Sequence, residues 1–242
     1  MVKIIFVPCE FDEEIFLDEN SIKSLKEKKI NSLFIFSSVQ FNTKNIEKQL
    51  ENIGIKIKKT KAKRTLKKGQ ILGCDCYSDS FSEDIFNSSS DILYIGDGLF
   101  HPFSLLLAQK ENFRKNIFVF NPLKKSLTIL TIKDIQNIIS KLKRNLRIFL
   151  NAKKIGIISS TKYGQNYLES CFSLKKEIEK KGKEVFVFVC DFVDLKELEN
   201  FSFIDCWINT ACPRIGLDDI LSTEKPLINL KDALNIYKIL DS

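Results

Sequence analysis

The stretch IGIISSTKYG, residues 155–164, is an apolar run of strand length that ends in two serines and opens into a polar, glycine-containing loop. A continuous apolar run of this kind is typical of a strand buried on both faces of a parallel sheet. FIFSSVQF, residues 34–41, repeats the pattern, and each copy leads into a predicted helix that stops near a glycine, Gly54 or Gly182. The chain therefore contains two variations on one strand–loop–helix unit.

Other apolar runs alternate with amphipathic helical patterns along the chain, which indicates an α/β fold. Buried strands are predicted for KIIFVP (3–8), SLFIFS (32–37), DILYIG (91–96), NIFVFN (116–121), KIGIIS (154–159), EVFVFV (184–189) and DCWINT (205–210). Between residues 131 and 153 apolar side chains recur at three- and four-residue steps, which predicts one long helix. We therefore predict two Rossmann-like parallel-sheet lobes, residues 1–130 and 154–242, joined by a connecting helix over residues 131–153.

Composition narrows the class of protein. With 242 residues, 44% of them hydrophobic, the chain can bury a sizeable core. No apolar stretch reaches the ~18 residues of a membrane span or resembles a secretory signal, so we expect a cytoplasmic protein with no membrane partner. The net charge of +7 and the basic run at residues 56–69 suit nucleic acid or an acidic protein. Because lysine is abundant throughout, we interpret the run as a solvated face and expect no nucleic-acid partner.

Seven cysteines in a reducing compartment indicate buried hydrophobes, catalytic thiols or metal ligands rather than disulfides. Cys74 and Cys76 form a C-x-C pair, but the chain offers no second close pair and no histidine at zinc-finger spacing. Cys212 stands at a predicted strand end with an arginine close behind, where the cation favours a thiolate. Burial is the interpretation for Cys171, Cys190 and Cys206, and Cys9 stays open.

Loops at the carboxyl ends of parallel strands line the ligand crevice of such folds, so unusual residues there are candidates. They are Gln40, Cys74, GDGLFHP (96–102), STKYGQ (160–165) and TACPRIG (210–216). His101 is the only histidine, so any Cys–His catalysis within the chain must use it, although a structural role is an equal alternative. GDG lacks the third glycine of a dinucleotide fingerprint, and no phosphate-binding GxxxxGK[ST] occurs.

Several of these segments together resemble the diphthamide-synthesis family. The resemblance covers nearly the whole chain in the same order, and GQILGC and TACPRIG are its most specific parts. The matching segments are SSVQF (37–41), GQILGC (69–74), YIGDGLFHP (94–102), SSTKYGQ (159–165) and NTACPRIGLDD (209–219).

The resemblance implies a transferase with a [4Fe-4S] cluster held by three cysteines from different lobes, of which Cys74 and Cys212 match two. The cluster's open iron would bind S-adenosylmethionine, and an electron donor would be needed. Reductive cleavage releases a 3-amino-3-carboxypropyl radical, which adds to a histidine of translation elongation factor 2. Candidate contacts to S-adenosylmethionine are Gln40, Gly96, Asp97, Gly98, His101, Thr161, Gln165 and Arg214.

The family pattern also has an amino-terminal lobe with its own cysteine, to which nothing in this sequence corresponds. One explanation is that a separate polypeptide or paralogue, or a second copy in a homodimer, completes the site. Another is that Cys9 or Cys76 supplies the third ligand, although Cys76 is tethered close to Cys74. A third is that the chain is a non-catalytic accessory subunit that binds elongation factor 2 or a catalytic subunit.

Overall fold

A computed structural model describes residues 11–236 of the chain, which divides into two compact units, Met1–Asp134 and Ile135–Ser242. The strand predicted at residues 3–8 and Cys9 lie outside the described residues. Among the described residues no helix is long and apolar enough to cross a membrane. Each unit contains one sheet with helices packed against it.

Within residues 11–134 the first unit contains a five-stranded sheet in the order β2-β1-β3-β4-β5. Its elements are α1 (Glu19–Glu27), β1 (Ser32–Ser37), α2 (Lys44–Asn52), β2 (Lys56–Lys58), β3 (Asp91–Ile95), α3 (Phe100–Leu107), β4 (Ile117–Asn121) and β5 (Ser126–Leu130). The central strands β1, β3 and β4 are buried along almost their whole length, as their continuous apolar sequences predict. Leu25 of α1 and the α2 pair Ile46 and Leu50 pack into the same core.

Strands β2 and β5 depart from the prediction. The Lys56–Lys58 segment of the basic run is a short edge strand parallel to β1, and its side chains are exposed or half-buried. The β4–β5 pair is antiparallel, because Asn121 Oδ1 accepts hydrogen bonds from Leu123 N and Lys124 N, both at 3.0 Å, and turns the chain back. The sheet is therefore mostly, not wholly, parallel.

The second unit contains a four-stranded parallel sheet in the order β7-β6-β8-β9. Its elements are α4 (Gln136–Asn151), β6 (Lys154–Ser160), α5 (Leu168–Glu179), β7 (Glu184–Cys190), β8 (Cys206–Asn209), β9 (Leu227–Asn229) and α6 (Leu230–Leu234). The long helix predicted between the lobes is α4, and it belongs to this unit. Its buried Asn145 donates from Nδ2 to Leu227 O of β9 (2.9 Å).

Close packing between β6 and β8 depends on a glycine. Gly156 is the register partner of Trp207, which is fully buried. A Cβ on Gly156 would lie 2.5 Å from Trp207 Cε3, so the indole ring occupies the space of the missing side chain. Any larger residue at this position would force the strands or the ring to move.

The two units share one strand order, since β2-β1-β3-β4 corresponds to β7-β6-β8-β9. Their first crossover helices also end alike, near Gly54 (φ 85°) and Gly182 (φ 78°), which adopt left-handed backbone conformations. The internal repeat predicted from the sequence is confirmed. In each sheet the chain reverses its direction of winding between two central strands, β1 and β3 or β6 and β8, and this switch point is where ligands bind in such folds.

Candidate functional site

In the first unit, the segment that leads to Cys74 runs alongside the end of β1. Ser37 N donates to Gly69 O (2.8 Å), and Ile71 N donates to Ser37 O (3.1 Å). Gly69 has φ 79°, a left-handed conformation that favours glycine and turns the chain into this pairing. Gln70 thus forms a single parallel bridge with Ser37 at the carboxyl end of β1, and Cys74 follows this bridge by four residues.

The Cys74 loop is held by a tight turn. Asp75 Oδ2 accepts from Leu72 N (2.8 Å), and Asp75 N donates back to Leu72 O (3.0 Å). Burial raises the pKa of the Asp75 carboxyl group, and the hydrogen bond from Leu72 opposes that shift. Cys76 is fully buried and donates from Sγ to Cys74 O (3.5 Å), whereas Cys74 is half-buried. The two thiols of the C-x-C pair therefore have different surroundings, and Cys76 packs as a small hydrophobe.

The loop after β3 contacts the Cys74 loop through an aromatic ring. A Cβ on Gly73 would lie 2.0 Å from Phe100 Cε1, so the Phe100 ring rests directly on the Gly73 backbone. This contact joins the GDGLFHP segment to the residue that precedes Cys74. Phe100 is also 51% exposed, which makes it an apolar surface at this edge of the sheet.

His101 and Tyr94 form the floor of the same loop. The His101 ring is stacked on Tyr94 with ring centroids 6.3 Å apart, and its edge meets Phe100 at 5.4 Å. Tyr94 is fully buried, and burial raises the pKa of its phenol, so the group is neutral. Its hydroxyl covers Gly96, where a Cβ would lie 2.5 Å away.

The remaining candidates of the first unit are more exposed. Gly98 has φ 72° and, like Asp97, faces solvent. Gln40 is exposed in the loop that follows β1, and its carbonyl accepts from Phe11 N (2.7 Å). The first unit therefore places its predicted site residues on two neighbouring strand ends, β1 and β3, at the switch point.

In the second unit, the loop after β6 turns towards the end of β7. Thr161 N donates to Cys190 O (3.0 Å), and the Thr161 hydroxyl donates to the Asp191 carboxylate. Gln165 N donates to Lys162 O (3.0 Å), and the Gln165 side chain is half-buried. Thr161 and Gln165 thus occupy the β6 side of this lobe's switch point.

Cys212 occupies the β8 side, because it follows the end of β8 at Asn209 and is half-buried. Arg214, two residues on, is 2% exposed in its side chain and forms a bidentate ion pair with Asp218, with Nε 2.7 Å from Oδ1. The Arg214 carbonyl also accepts from Leu217 N and Asp219 N. The guanidinium group therefore stabilises its own loop, while the predicted contact to S-adenosylmethionine stays a prediction.

Sequence reasoning gave no role to Asp75 or Asn229, and it included Tyr94, Phe100 and Asn209 only as parts of longer segments. Asn209 had a detectable signal, because it stands at the end of a predicted strand, whereas Asn229 ends β9, a strand that was not predicted. The contact of Phe100 with Gly73 had no signal, because it joins two loops that the sequence separates by a whole strand.

The donor chemistry of two described side chains suits an iron–sulfur cluster. Thiolates are the preferred ligands of iron–sulfur clusters, and Cys74 and Cys212 are half-buried at the two switch points. Within residues 11–236, no group of three histidine, cysteine or acidic side chains is placed to hold a metal ion.

Fold and site define a class: a two-lobed, doubly wound α/β protein with a cysteine at the carboxyl edge of each sheet. Residues 1–238 match the family model described as "Putative diphthamide synthesis protein", and the chain belongs to this family. The resemblance inferred from the motifs is confirmed.

Two curated relatives and one crystal structure illustrate the match. The chain is 33% identical to the 2-(3-amino-3-carboxypropyl)histidine synthase of Pyrococcus horikoshii over 68% of its own length and 44% of that protein. It is 29% identical to subunit 1 of the synthase of Debaryomyces hansenii, over 96% of the chain and 54% of that protein. The crystal structure of Dph2 from Pyrococcus horikoshii with a 4Fe-4S cluster superposes with a TM-score of 0.69 at 27% identity, covering 91% of this chain and 62% of that one. The chain thus spans about half the length of these curated relatives.

Proposed function

We propose that the chain acts in the first step of diphthamide biosynthesis, the transfer of a 3-amino-3-carboxypropyl group from S-adenosylmethionine to a histidine of translation elongation factor 2. Family membership and the names of the relatives support this reaction. The observation that carries the proposal is the position of Cys74 and Cys212, each half-buried at the switch point of its own lobe. A thiol with only a packing role has no reason to recur at the ligand-binding edge of both sheets.

Cys74 and Cys212 would be two of the thiolate ligands of a [4Fe-4S] cluster. When bound, this cluster supplies the electron that cleaves S-adenosylmethionine reductively, with release of a 3-amino-3-carboxypropyl radical. In our proposal the loops around the two thiols bind and orient S-adenosylmethionine. The proposed contacts are Gln40, Gly96, Asp97, Gly98, His101, Thr161, Gln165 and Arg214.

The local geometry gives these loops distinct tasks. Phe100 rests on Gly73 and is half-exposed, so it covers one side of the Cys74 loop and excludes water there. His101 is held by stacking on the neutral phenol of Tyr94, which suits a binding role rather than proton transfer through a flexible ring. The reacting histidine of our proposal belongs to the elongation factor, so His101 has no nucleophilic task.

The proposed cluster needs a third thiolate besides those of Cys74 and Cys212. We propose a separate polypeptide or paralogue, or a second copy of this chain, as its source, and an electron donor as a further partner. Cys76 is a poor alternative, because it is fully buried and its Sγ is engaged with Cys74 O. Cys9 remains a candidate ligand outside the described residues.

The test is anaerobic reconstitution with iron and sulfide, with and without the candidate partner, followed by iron analysis and electron paramagnetic resonance of the reduced protein. We expect Cys74→Ala and Cys212→Ala to lose bound iron and the reduced-cluster signal. Cys190→Ala is the matched control, since Cys190 is half-buried at the end of the edge strand β7, which β6 separates from the switch point, and the substitution keeps the backbone carbonyl that accepts from Thr161 N. Cys76→Ala should also retain iron.

The pattern of outcomes separates the alternatives. A cluster that forms only with the partner supports a site shared between polypeptides. Retention of the cluster by Cys212→Ala, or its loss in Cys190→Ala alone, contradicts the ligand assignment. A protein that binds no iron under either condition, yet binds elongation factor 2, would be an accessory subunit instead.

A further inference from the structure

Two buried asparagines hold the backbone on both sides of Cys212. Asn209, at the end of β8, accepts from Ala211 N at Oδ1 (3.1 Å) and donates from Nδ2 to Cys212 O (2.8 Å). Its side chain therefore fixes the peptide group between Thr210 and Ala211 and the carbonyl of Cys212 itself. Asn209 is 2% exposed, so these bonds are shielded from water.

Asn229, at the end of β9, completes the arrangement. Its Oδ1 accepts from Asn209 Nδ2 (2.7 Å), and its own Nδ2 donates to Pro213 O (2.7 Å). Asn229 is 3% exposed. The two amides form one continuous hydrogen-bonded unit, the asparagine pair, which links two neighbouring strand ends to three of the four peptide groups between Thr210 and Arg214.

The Cys212 loop also packs against Asn229 at Gly216. A Cβ on Gly216 would lie 2.2 Å from Asn229 Oδ1 and 2.5 Å from Asn229 Cγ. Because no side chain fits there, the loop backbone packs directly against the Asn229 amide. Ile215 N also donates to Cys212 O (3.1 Å), so that carbonyl accepts from both Asn209 and the loop itself.

We infer that Asn209 and Asn229 are positioning residues for Cys212, which fix its backbone so that the thiol is oriented before any ligand arrives. The inference rests on the proposed ligand role of Cys212, which gives a reason for so much buried hydrogen bonding at one loop. Nothing in the arrangement requires the asparagines to touch a cluster or substrate. A preorganised ligand binds more tightly because less conformational freedom is lost on binding.

The test measures Cys212 in the cluster-free full chain. Timed alkylation with iodoacetamide, followed by peptide mass spectrometry, gives the rate at Cys212, with Cys190 as the internal reference. We expect Asn229→Ala to accelerate alkylation of Cys212 relative to Cys190 by about tenfold, since loss of two buried hydrogen bonds weakens the closed loop by that order. The double variant with Asn209→Ala should accelerate alkylation further, but by less than the product of the two single effects, because the bond between the two amides is lost in either variant.

Asn145→Ala is the matched control. Asn145 is a buried asparagine of the same lobe that also donates to a backbone carbonyl, and that carbonyl belongs to Leu227 of β9 rather than to the Cys212 loop. It should leave the Cys212 rate within about twofold of the wild type even where it lowers the melting temperature. Equal acceleration in Asn145→Ala, or an unchanged Cys212 rate in Asn229→Ala and Asn209→Ala, would overturn the inference.

The alkylation result is independent of cluster binding, so it distinguishes the two proposals. If Cys212→Ala retains the cluster, the proposed ligand role of Cys212 is wrong. The alkylation rate at Cys212 still tests whether the asparagines position its thiol. In reconstituted protein, faster loss of iron to a chelator from Asn229→Ala than from Asn145→Ala is the second expected result. Equal rates there would count against a positioning role.

Discussion

Two glycines that face aromatic rings should respond to the same added methyl group to different extents. Gly156 faces Trp207, which is fully buried, and Gly73 faces Phe100, which is 51% exposed. The clash is closer at Gly73, with a Cβ 2.0 Å from the ring against 2.5 Å at Gly156. Distance alone therefore predicts that Gly73→Ala lowers stability more than Gly156→Ala does. The exposed Phe100 ring is freer to move than the buried Trp207 ring, which predicts the larger loss in Gly156→Ala.

The magnitude follows from what can relax. In Gly156→Ala the Trp207 ring has no open space, so overpacking costs about 1–3 kcal/mol. The reduced entropy of the unfolded chain offsets about 0.4–1 kcal/mol of this cost. The free energy of unfolding should therefore fall by roughly 1–2 kcal/mol. In a chain of this size each kcal/mol lowers the melting temperature by about 2–4 °C. In Gly73→Ala the Phe100 ring can swing into solvent, and the change should stay within about 0.5 kcal/mol.

Scanning calorimetry of both variants gives the comparison, and fluorescence of the single tryptophan, Trp207, reports the second unit separately. We expect Gly156→Ala to lower the melting temperature and shift the tryptophan emission. Gly73→Ala should leave both nearly unchanged. A loss of stability in Gly73→Ala equal to or larger than that in Gly156→Ala would refute the reasoning from neighbour mobility.

Two further predictions concern turns and charge. Asn121→Ala should lower the free energy of unfolding by about 1 kcal/mol in urea titrations, because two backbone N–H groups of the β4–β5 turn lose their acceptor. Asn87→Ala should have a smaller effect, because its exposed side chain gives up one hydrogen bond, to the Asp84 carboxylate, and its backbone N–H keeps its acceptor. The second concerns Asp205, which accepts from Lys154 N (2.8 Å) and Lys153 N (2.9 Å), and these bonds lower its pKa. Because the folded pKa is depressed, this stabilisation is present above the unfolded pKa of about 4 and disappears as the pH falls through the folded value. The stability gap between wild type and Asp205→Asn should therefore narrow between pH 6 and pH 3, and a gap that widens on acidification would contradict it.

The parts of the fold that the sequence predicted are those with a local signal. Strands β1, β3, β4, β6, β7 and β8 are apolar along their length, and the structure places each within a residue or two of the predicted run. Strands β2, β5 and β9 were missed, because β2 and β9 have only three residues and β5 is a half-buried edge strand. Their pairing depends on a neighbouring strand more than on their own composition.

Some features of the candidate site could be predicted from the sequence and others could not. Cys74 and Cys212 could be placed at strand ends, since loops after predicted strands are visible in the sequence. The hydrogen bonds between Ser37 and the Gly69–Ile71 backbone could not be predicted, because they join segments that a helix and a strand separate in the sequence. The ion pair of Arg214 with Asp218 was within reach, since the residues are four apart, but its burial depends on the folded loop.

The two cysteines reach their switch points from different places in the repeat. Cys74 precedes the third strand of its unit, β3, whereas Cys212 follows the third strand of its unit, β8. If the lobes descend from one duplicated ancestor, the duplication copied the sheet and its ligand-binding edge without a shared thiol position. Each lobe then gained or kept its thiol independently of the other, so the ligand-binding edge is shared by descent and the thiol positions are not.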